Sequence, residues 1–267
     1  EKNREVYVMV IGETSRAANW SIYGYNRNTN PELTKIKGLT AFSHVLTESN
    51  TTHKSVPMLM SSVTAHDFNS IYRQKGIITA FKEAGYRTAF FSNQRYNHSF
   101  IDFFGKEADI CDFIKEDTGD GSYNPSDDEL LKQVAAELAE NASKQFIVLH
   151  TYGSHFNYRE RYPADNAFFL PDFPVDAELK YKDNLINAYD NSIRYTDNFL
   201  ARLIRMLQEQ DIDAAMLYTS DHGEDIFDDD RHLFLHASPV PSYYQIHVPF
   251  LVWMSDNYRK NYPDFLK

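Results

Sequence analysis

Three short apolar runs constrain the fold most: Val6-Tyr7-Val8-Met9-Val10-Ile11, Phe146-Ile147-Val148-Leu149 and Ala214-Ala215-Met216-Leu217-Tyr218-Thr219. Each is nearly all apolar and short for a core helix, as expected of a strand covered on both faces. Tyr86 to Phe91, Ala41 to Thr47 and Val248 to Trp253 read as further strands, with Pro249 at a strand start or an edge. Helical spacing lies between them. Val56, Leu59, Met60 and Val63 recur on one face; Ile77 to Ala84 is closed by Gly85; Leu130, Val134 and Leu138 follow a cap at Ser126 or Asp127. Leu185, Tyr189, Ile193, Thr196, Leu200, Leu203 and Leu207 form the stripe of a long helix from about Glu178 to Gln210. Thr14 or Ser15 is placed to cap a helix after Gly12, and Asn30-Pro31 to open one through Ile36. Strands alternating with helices predict an α/β fold with a mainly parallel central sheet and helices on both faces.

The bulk properties narrow the function. The chain has 267 residues, 42% of them hydrophobic and 15% aromatic, enough for a full core in one domain. A net charge of -11 excludes a general nucleic-acid binder, which needs a basic footprint. Cys111 is the single cysteine, so neither an internal disulfide nor a cysteine-rich zinc site is available. No apolar run reaches bilayer length. The chain opens almost directly on a core strand, so a soluble catalytic domain cut from a longer, membrane-anchored protein is expected over residues 1–267.

Candidate functional residues cluster just past the strands, where ligands bind in open α/β sheets. Asp221-His222-Gly223 follows the Ala214 run. A carboxylate oxygen beside an imidazole nitrogen suits Zn²⁺, and Gly223 would let the backbone turn sharply beside an ion. Alone, the tripeptide is better read as a capping Asp and a packed His; the other stretches change that. Glu13 follows the first strand and also reads as a first-turn glutamate favoured by the helix dipole. Thr52, or Thr51, stands where an apolar helix begins. It is an ordinary N-cap, or a nucleophile if a metal lowers its pKa. His53 and Lys54 are solvated side chains or phosphate contacts. Asn93 and Gln94 end another strand, as do His150 and His155; His236 follows later. Arg159 to Pro174 is an aromatic insertion that could face substrate, and residues 115–128 read as a surface loop.

Taken together, these stretches resemble one family: the phosphoethanolamine transferases that modify lipid A and related envelope glycans, within the alkaline phosphatase and sulfatase superfamily. The likeness rests on Gly12-Glu13-Thr14-Ser15-Arg16, Gly24-Tyr25-Asn26-Arg27, Thr29-Asn30-Pro31 and Thr52-His53-Lys54-Ser55-Val56-Pro57. It continues through Gly153-Ser154-His155, Arg161-Tyr162-Pro163, Ser220-Asp221-His222-Gly223-Glu224 and Leu235-His236. These occur in the family's order and cover nearly the whole chain.

The resemblance implies one tightly held Zn²⁺ on Glu13, Thr52, Asp221 and His222, with Thr52 as nucleophile. It places His155 and His236 on the substrate side, as phosphoryl contacts, proton donors or ligands of a second zinc. It adds Lys54, Asn93 and Gln94 as headgroup contacts. The implied donor is phosphatidylethanolamine, and the acceptor lipid A or another envelope glycan. The implied place is the periplasmic face of the bacterial inner membrane. The family's disulfides are missing here, which puts the subfamily in doubt and not the chemistry. A phosphoglycerol transferase of the lipoteichoic-acid type is the alternative. A sulfatase fits poorly, because Ser55-Val56-Pro57-Met58-Leu59 has Leu where its formylglycine motif requires Arg.

Overall fold

The structure is a computed structural model that describes residues 3–115, 123–173 and 176–266. Its strands are β1 (Glu5–Gly12), β2 (Leu39–Phe42), β3 (Arg87–Ser92), β4 (Ile110–Phe113), β5 (Lys144–His150), β6 (Asp213–Ser220), β7 (Asp225–Ile226), β8 (Phe234–Leu235) and β9 (Phe250–Met254). Its α-helices are α1 (Thr52–Leu59), α2 (Ile77–Glu83), α3 (Phe100–Gly105), α4 (Asp128–Ala139), α5 (Lys182–Gln208), α6 (Tyr243–Ile246) and α7 (Asp256–Asn261). Seven strands form one sheet in the order β2-β9-β6-β1-β5-β3-β4. β6, β1, β5, β3 and β4 run parallel, and β9 runs antiparallel to both β6 and β2.

Alternation along β1 divides the core. Val6, Val8 and Val10 face Leu130, Val134 and the buried stripe of α5. Met9 and Ile11 face Val56 of α1, Ile78 of α2 and Phe104 of α3. Helices thus cover both faces, which is why the central strands carry so few polar residues.

Several local expectations differ from what forms. After Gly12 the chain does not enter an α-helix: Thr14 is left-handed (φ 59) and only a 3-10 turn, Ala17–Asn19, follows. Asn30 does not cap a helix through Ile36. Its Oδ1 accepts from the Ile22 amide at 3.0 Å, and a single turn, Leu33–Lys35, begins under Asp197, whose oxygens accept from the Glu32 and Leu33 amides at 3.0 Å each. The second strand stops at Phe42, and Leu46 makes one isolated bridge to His247. The last strand begins at Phe250; Pro249 does precede a strand start, but in the interior of the sheet. α5 begins at Lys182 after a 3-10 turn, Leu179–Tyr181. α3, β4 and the β7–β8 pair were not legible as elements in the sequence. Residues 116–122 of the expected loop at 115–128 lie outside the described residues, and Asp128 already opens α4. The aromatic insertion is pinned to α5: Asn191 Oδ1 accepts from the Phe168 and Phe169 amides at 3.0 and 2.8 Å.

The Gly24 to Pro31 motifs fasten the segment after β1 to α5. Asp190 of α5 accepts from Asn19 Nδ2 (2.7 Å), Tyr25 OH (2.7 Å) and Arg27 Nη1 (3.1 Å). Arg16 binds Asp228 through both terminal nitrogens, at 2.6 and 3.0 Å, and is 3% exposed. Burial pulls its guanidinium down, but the Asp228 carboxylate more than offsets this. Removing one partner of a buried pair strands the other charge. Arg16→Ala is therefore expected to cost about 3–5 kcal/mol, read as a lower urea midpoint; an unchanged midpoint would show the pair to be inconsequential.

Candidate metal centre

Sheet register builds the centre. Gly12 of β1 pairs with Ser220 of β6, so Glu13 and Asp221 are the next residues on adjacent parallel strands. Neighbouring strands lie about 4.8 Å apart, which brings the two carboxylates together. His222 follows directly. One ligand atom from each of Glu13, Asp221 and His222 falls within 4.8 Å of the others, and all three residues are buried.

Hydrogen bonds aim each ligand. Asp221 Oδ1 accepts from the Thr14 amide (3.0 Å) and the His222 amide (2.7 Å). Its Oδ2 is buried and receives no hydrogen bond among the described residues. His222 Nδ1 donates to Gly223 O at 2.7 Å, which leaves the Nε2 lone pair free, 3.3 Å from Asp221 Oδ2 and 3.5 Å from Glu13 Oε1. A ligating histidine is held in this way, with its other nitrogen on a carbonyl.

Glu13 Oε1 accepts from Thr14 Oγ1 (2.7 Å), and Oε2 from Gln94 Nε2 (3.2 Å). Burial, with the Asp221 charge second, raises the Glu13 carboxyl well above the usual range, and burial lowers His222. Two buried carboxylates, an orphaned oxygen and an unprotonated imidazole nitrogen meet at one point. That donor set fits a divalent cation, which would let both carboxylates ionise.

Thr52 joins the cluster from the other side. It is the first residue of α1, and its Oγ1 lies 3.2 and 3.3 Å from the two Glu13 oxygens and 3.1 Å from His222 Nε2. One turn on, Ser55 Oγ donates to the Asp221 carbonyl at 2.6 Å, which fixes α1 against the end of β6. Thr51, not Thr52, is the N-cap, and its side chain makes no capping bond. Gly223 is required for close approach: a Cβ there would lie 2.1 Å from the Tyr244 carbonyl oxygen.

The loop after β5 forms the third wall. His150 is fully buried, and neither ring nitrogen has a partner among the described residues; burial lowers its pKa to about 4. Asp127 grips the loop, accepting from the Tyr152 and Gly153 amides at 2.8 and 2.9 Å. Asn93 serves the same anchor and turns away from the centre, donating through Nδ2 to Asp127 Oδ1 (2.9 Å) and Pro125 O (3.0 Å). Both Nδ2 bonds thus hold the loop, while its buried Oδ1 has no partner among the described residues. Gln94 bridges Glu13 and the Thr151 carbonyl (2.9 Å) while lining the cavity beside Thr52.

His155 lines that cavity too, with Nδ1 donating to Phe156 O at 2.6 Å and burial lowering its pKa. His236 reaches the other side. Its ring centre is 4.1 Å from that of His222, and its Nδ1 lies 3.4 Å from Glu224 Oε2. Lys54 is exposed on α1 and does not line the cavity. A larger cavity, about 630 Å³, sits by Lys37, Arg205 and Trp253 at the amino end of β6, away from this chemistry.

Gly153 has φ 52, and a Cβ there would lie 2.7 Å from the Glu13 carbonyl oxygen. Gly153→Ala must push β1's end aside. The expected result is about 1–3 kcal/mol less stability together with weaker zinc binding, checked by unfolding and metal titration. A variant with wild-type zinc affinity would show that this contact does not set Glu13.

A mainly parallel sheet whose strand ends gather a buried Glu–Asp–His cluster around a threonine hydroxyl defines the alkaline phosphatase and sulfatase class. A sulfatase profile matches residues 5–265, and the chain belongs to that family. It is 34% identical, over 95% of its length and 45% of the relative's, to Kdo(2)-lipid A phosphoethanolamine 7''-transferase of Escherichia coli K12. The chain thus spans about half the length of the curated relatives it matches. The zinc complex of the C-terminal periplasmic domain of Escherichia coli EptC superposes with TM-score 0.89, at 26% identity over 98% of this chain and 76% of that one. The integral membrane lipooligosaccharide phosphoethanolamine transferase A of Neisseria meningitidis gives TM-score 0.85, at 27% identity over 97% of this chain and 49% of that one.

Proposed function

We propose that this chain is the catalytic domain of a zinc-dependent phosphoethanolamine transferase. It would move phosphoethanolamine from phosphatidylethanolamine to an envelope glycolipid or glycan, lipid A or a core sugar. The relatives' names support the reaction class, and the position of Thr52 Oγ1 between Glu13 and His222 carries the reading. Zinc, when bound by Glu13, Asp221, His222 and Thr52, would make the hydroxyl a nucleophile at neutral pH and neutralise phosphoryl charge.

The chain's residues supply the rest. Thr52 Oγ, its proton lost to water, bonds to phosphorus as the bond to the diacylglycerol oxygen breaks, and that oxygen takes a proton from His236. Glu224, buried and hydrogen-bonded by Tyr158, steadies His236. His155 is the poorer acid, because burial keeps it neutral; it is better placed to contact the phosphoryl group. The acceptor oxygen then attacks phosphorus, its proton passes back, and Thr52 Oγ leaves. We read one zinc, since a single group of three or more His, Cys, Asp or Glu ligands occurs among the described residues.

No helix among the described residues is long and apolar enough to cross a membrane. We place the domain at the periplasmic face of the inner membrane, held by a part of the protein outside this sequence. Intact-mass spectrometry after exposure to phosphatidylethanolamine should show a phosphoethanolamine adduct on Thr52. An adduct from phosphatidylglycerol instead would make it a phosphoglycerol transferase, and no adduct from either would refute the covalent route.

A further inference from the structure

A cavity of about 180 Å³ opens beside Thr52, bounded by Gln94, Arg95, Lys115, His150, Tyr152 and His155. Two cations, Arg95 and Lys115, stand in its lining. Lys115 is 8% exposed; its Nζ lies 3.4 Å from the centre of the Tyr152 ring and 3.2 Å from Asn124 Oδ1. Arg161 does not line the cavity itself, but its guanidinium packs 4.2 Å from the centre of the same ring, with its side chain 5% exposed and Nη1 3.5 Å from the same Asn124 Oδ1. Its carboxylate partner at 3.1 Å, Glu160, is 59% exposed and so well screened. Asp102 also lines the cavity, but its Oδ2 is turned to the Asn97 amide at 2.7 Å.

Burial, then Arg161 and Arg95, pull the Lys115 ammonium down to about 8, while Asp127 and Glu160 act the other way. A group destabilised in this way gains most from an anion. The unpartnered, fully buried ring of His150 is a second sign that the cavity awaits a polar occupant. Lysine and arginine together suit an oxyanion. The donor headgroup is a poor candidate, because its one phosphate belongs at Thr52 and its ammonium would be repelled by this wall.

We propose that Lys115, with Arg161 packed on the Tyr152 ring beside it, forms an oxyanion subsite for the acceptor, binding a phosphate or carboxylate carried on the acceptor sugar. The subsite orients the attacking oxygen toward the Thr52 adduct and selects anionic over neutral acceptors. This rests on the transferase reading of the same centre.

The test compares transfer from phosphatidylethanolamine to glucose 1-phosphate with transfer to glucose, using zinc-loaded protein. Lys115→Met and Arg161→Met should each lower the ratio of the two kcat/KM values about tenfold, through KM for the phosphorylated sugar. Lys115→Arg should keep the ratio. An unchanged ratio in both methionine variants would overturn the proposal. So would a loss falling wholly on Thr52 adduct formation, which would assign the wall to the donor. If the wild type forms no adduct, the transferase reading fails, and equilibrium titration of both sugars into wild type and Lys115→Met still tests the wall. Equal affinity of wild type for the two sugars would then overturn it.

Discussion

Changing Thr52 to Ala should abolish both transfer and the covalent adduct. The expected fall is at least about 10⁴-fold in kcat, because removing a nucleophile takes away a whole route and not one contact. That corresponds to roughly 5.5 kcal/mol of barrier. The substitution is small and the site is partly open, so folding should survive; Ser55 and Val56 still anchor α1. Glu13, Asp221 and His222 also remain, so zinc content should stay near one equivalent. Zinc content separates two explanations. Loss of activity with metal retained assigns Thr52 to the chemistry, whereas loss of both would make it chiefly a ligand. Thr52→Ser, which keeps the hydroxyl, should restore a measurable adduct. An Ala variant with near-normal turnover would remove Thr52 from the mechanism.

The central strands and the long helix were legible because burial on both faces leaves a strong signal in composition and spacing. The Glu13–Asp221 meeting was legible only in part. Sequence put each at a strand end, but adjacency came from the Gly12–Ser220 register, a long-range pairing no local pattern encodes. The four-residue β4 and six-residue α3 were lost because neither period has room to repeat in them.

Ser126 or Asp127 was read as the helix cap; Asp127 holds the N-cap position of α4, but its side chain makes no capping bond. In the fold Ser126 Oγ accepts from the Asp128 amide (3.0 Å), and the Asp127 carboxylate goes to the Tyr152–Gly153 loop instead. Asn93 and Gln94 are neighbours in the bend just past β3, yet one points to that loop and the other to Glu13. Lys115 and Arg161 were invisible as a pair, because what joins them is the Tyr152 ring.

Replacing Asp221 by Asn should uncouple stability from zinc. In the wild type, two carboxylates are buried side by side, and Asp221 Oδ2 lacks a donor. A metal bound to the folded state alone, at a hundred times its dissociation constant, adds about 2.7 kcal/mol. For a domain of this size that is worth on the order of 5–10 °C in Tm. A chelator should therefore lower the wild-type Tm by that amount. In Asp221→Asn, Oδ1 can still accept from the Thr14 and His222 amides. The new amide N–H₂ would replace Oδ2, 3.3 Å from the His222 Nε2 lone pair and close to Glu13. One buried charge disappears and the orphaned position becomes a donor, so the metal-free variant should melt at or above the metal-free wild type. Zinc affinity should drop at least about 100-fold, with activity following it. A chelator should then leave the variant's Tm unmoved. The same Tm loss in both proteins would show that the chelated metal sits elsewhere. No loss in either, with no stoichiometric zinc on purification, would make the domain a catalytically silent scaffold.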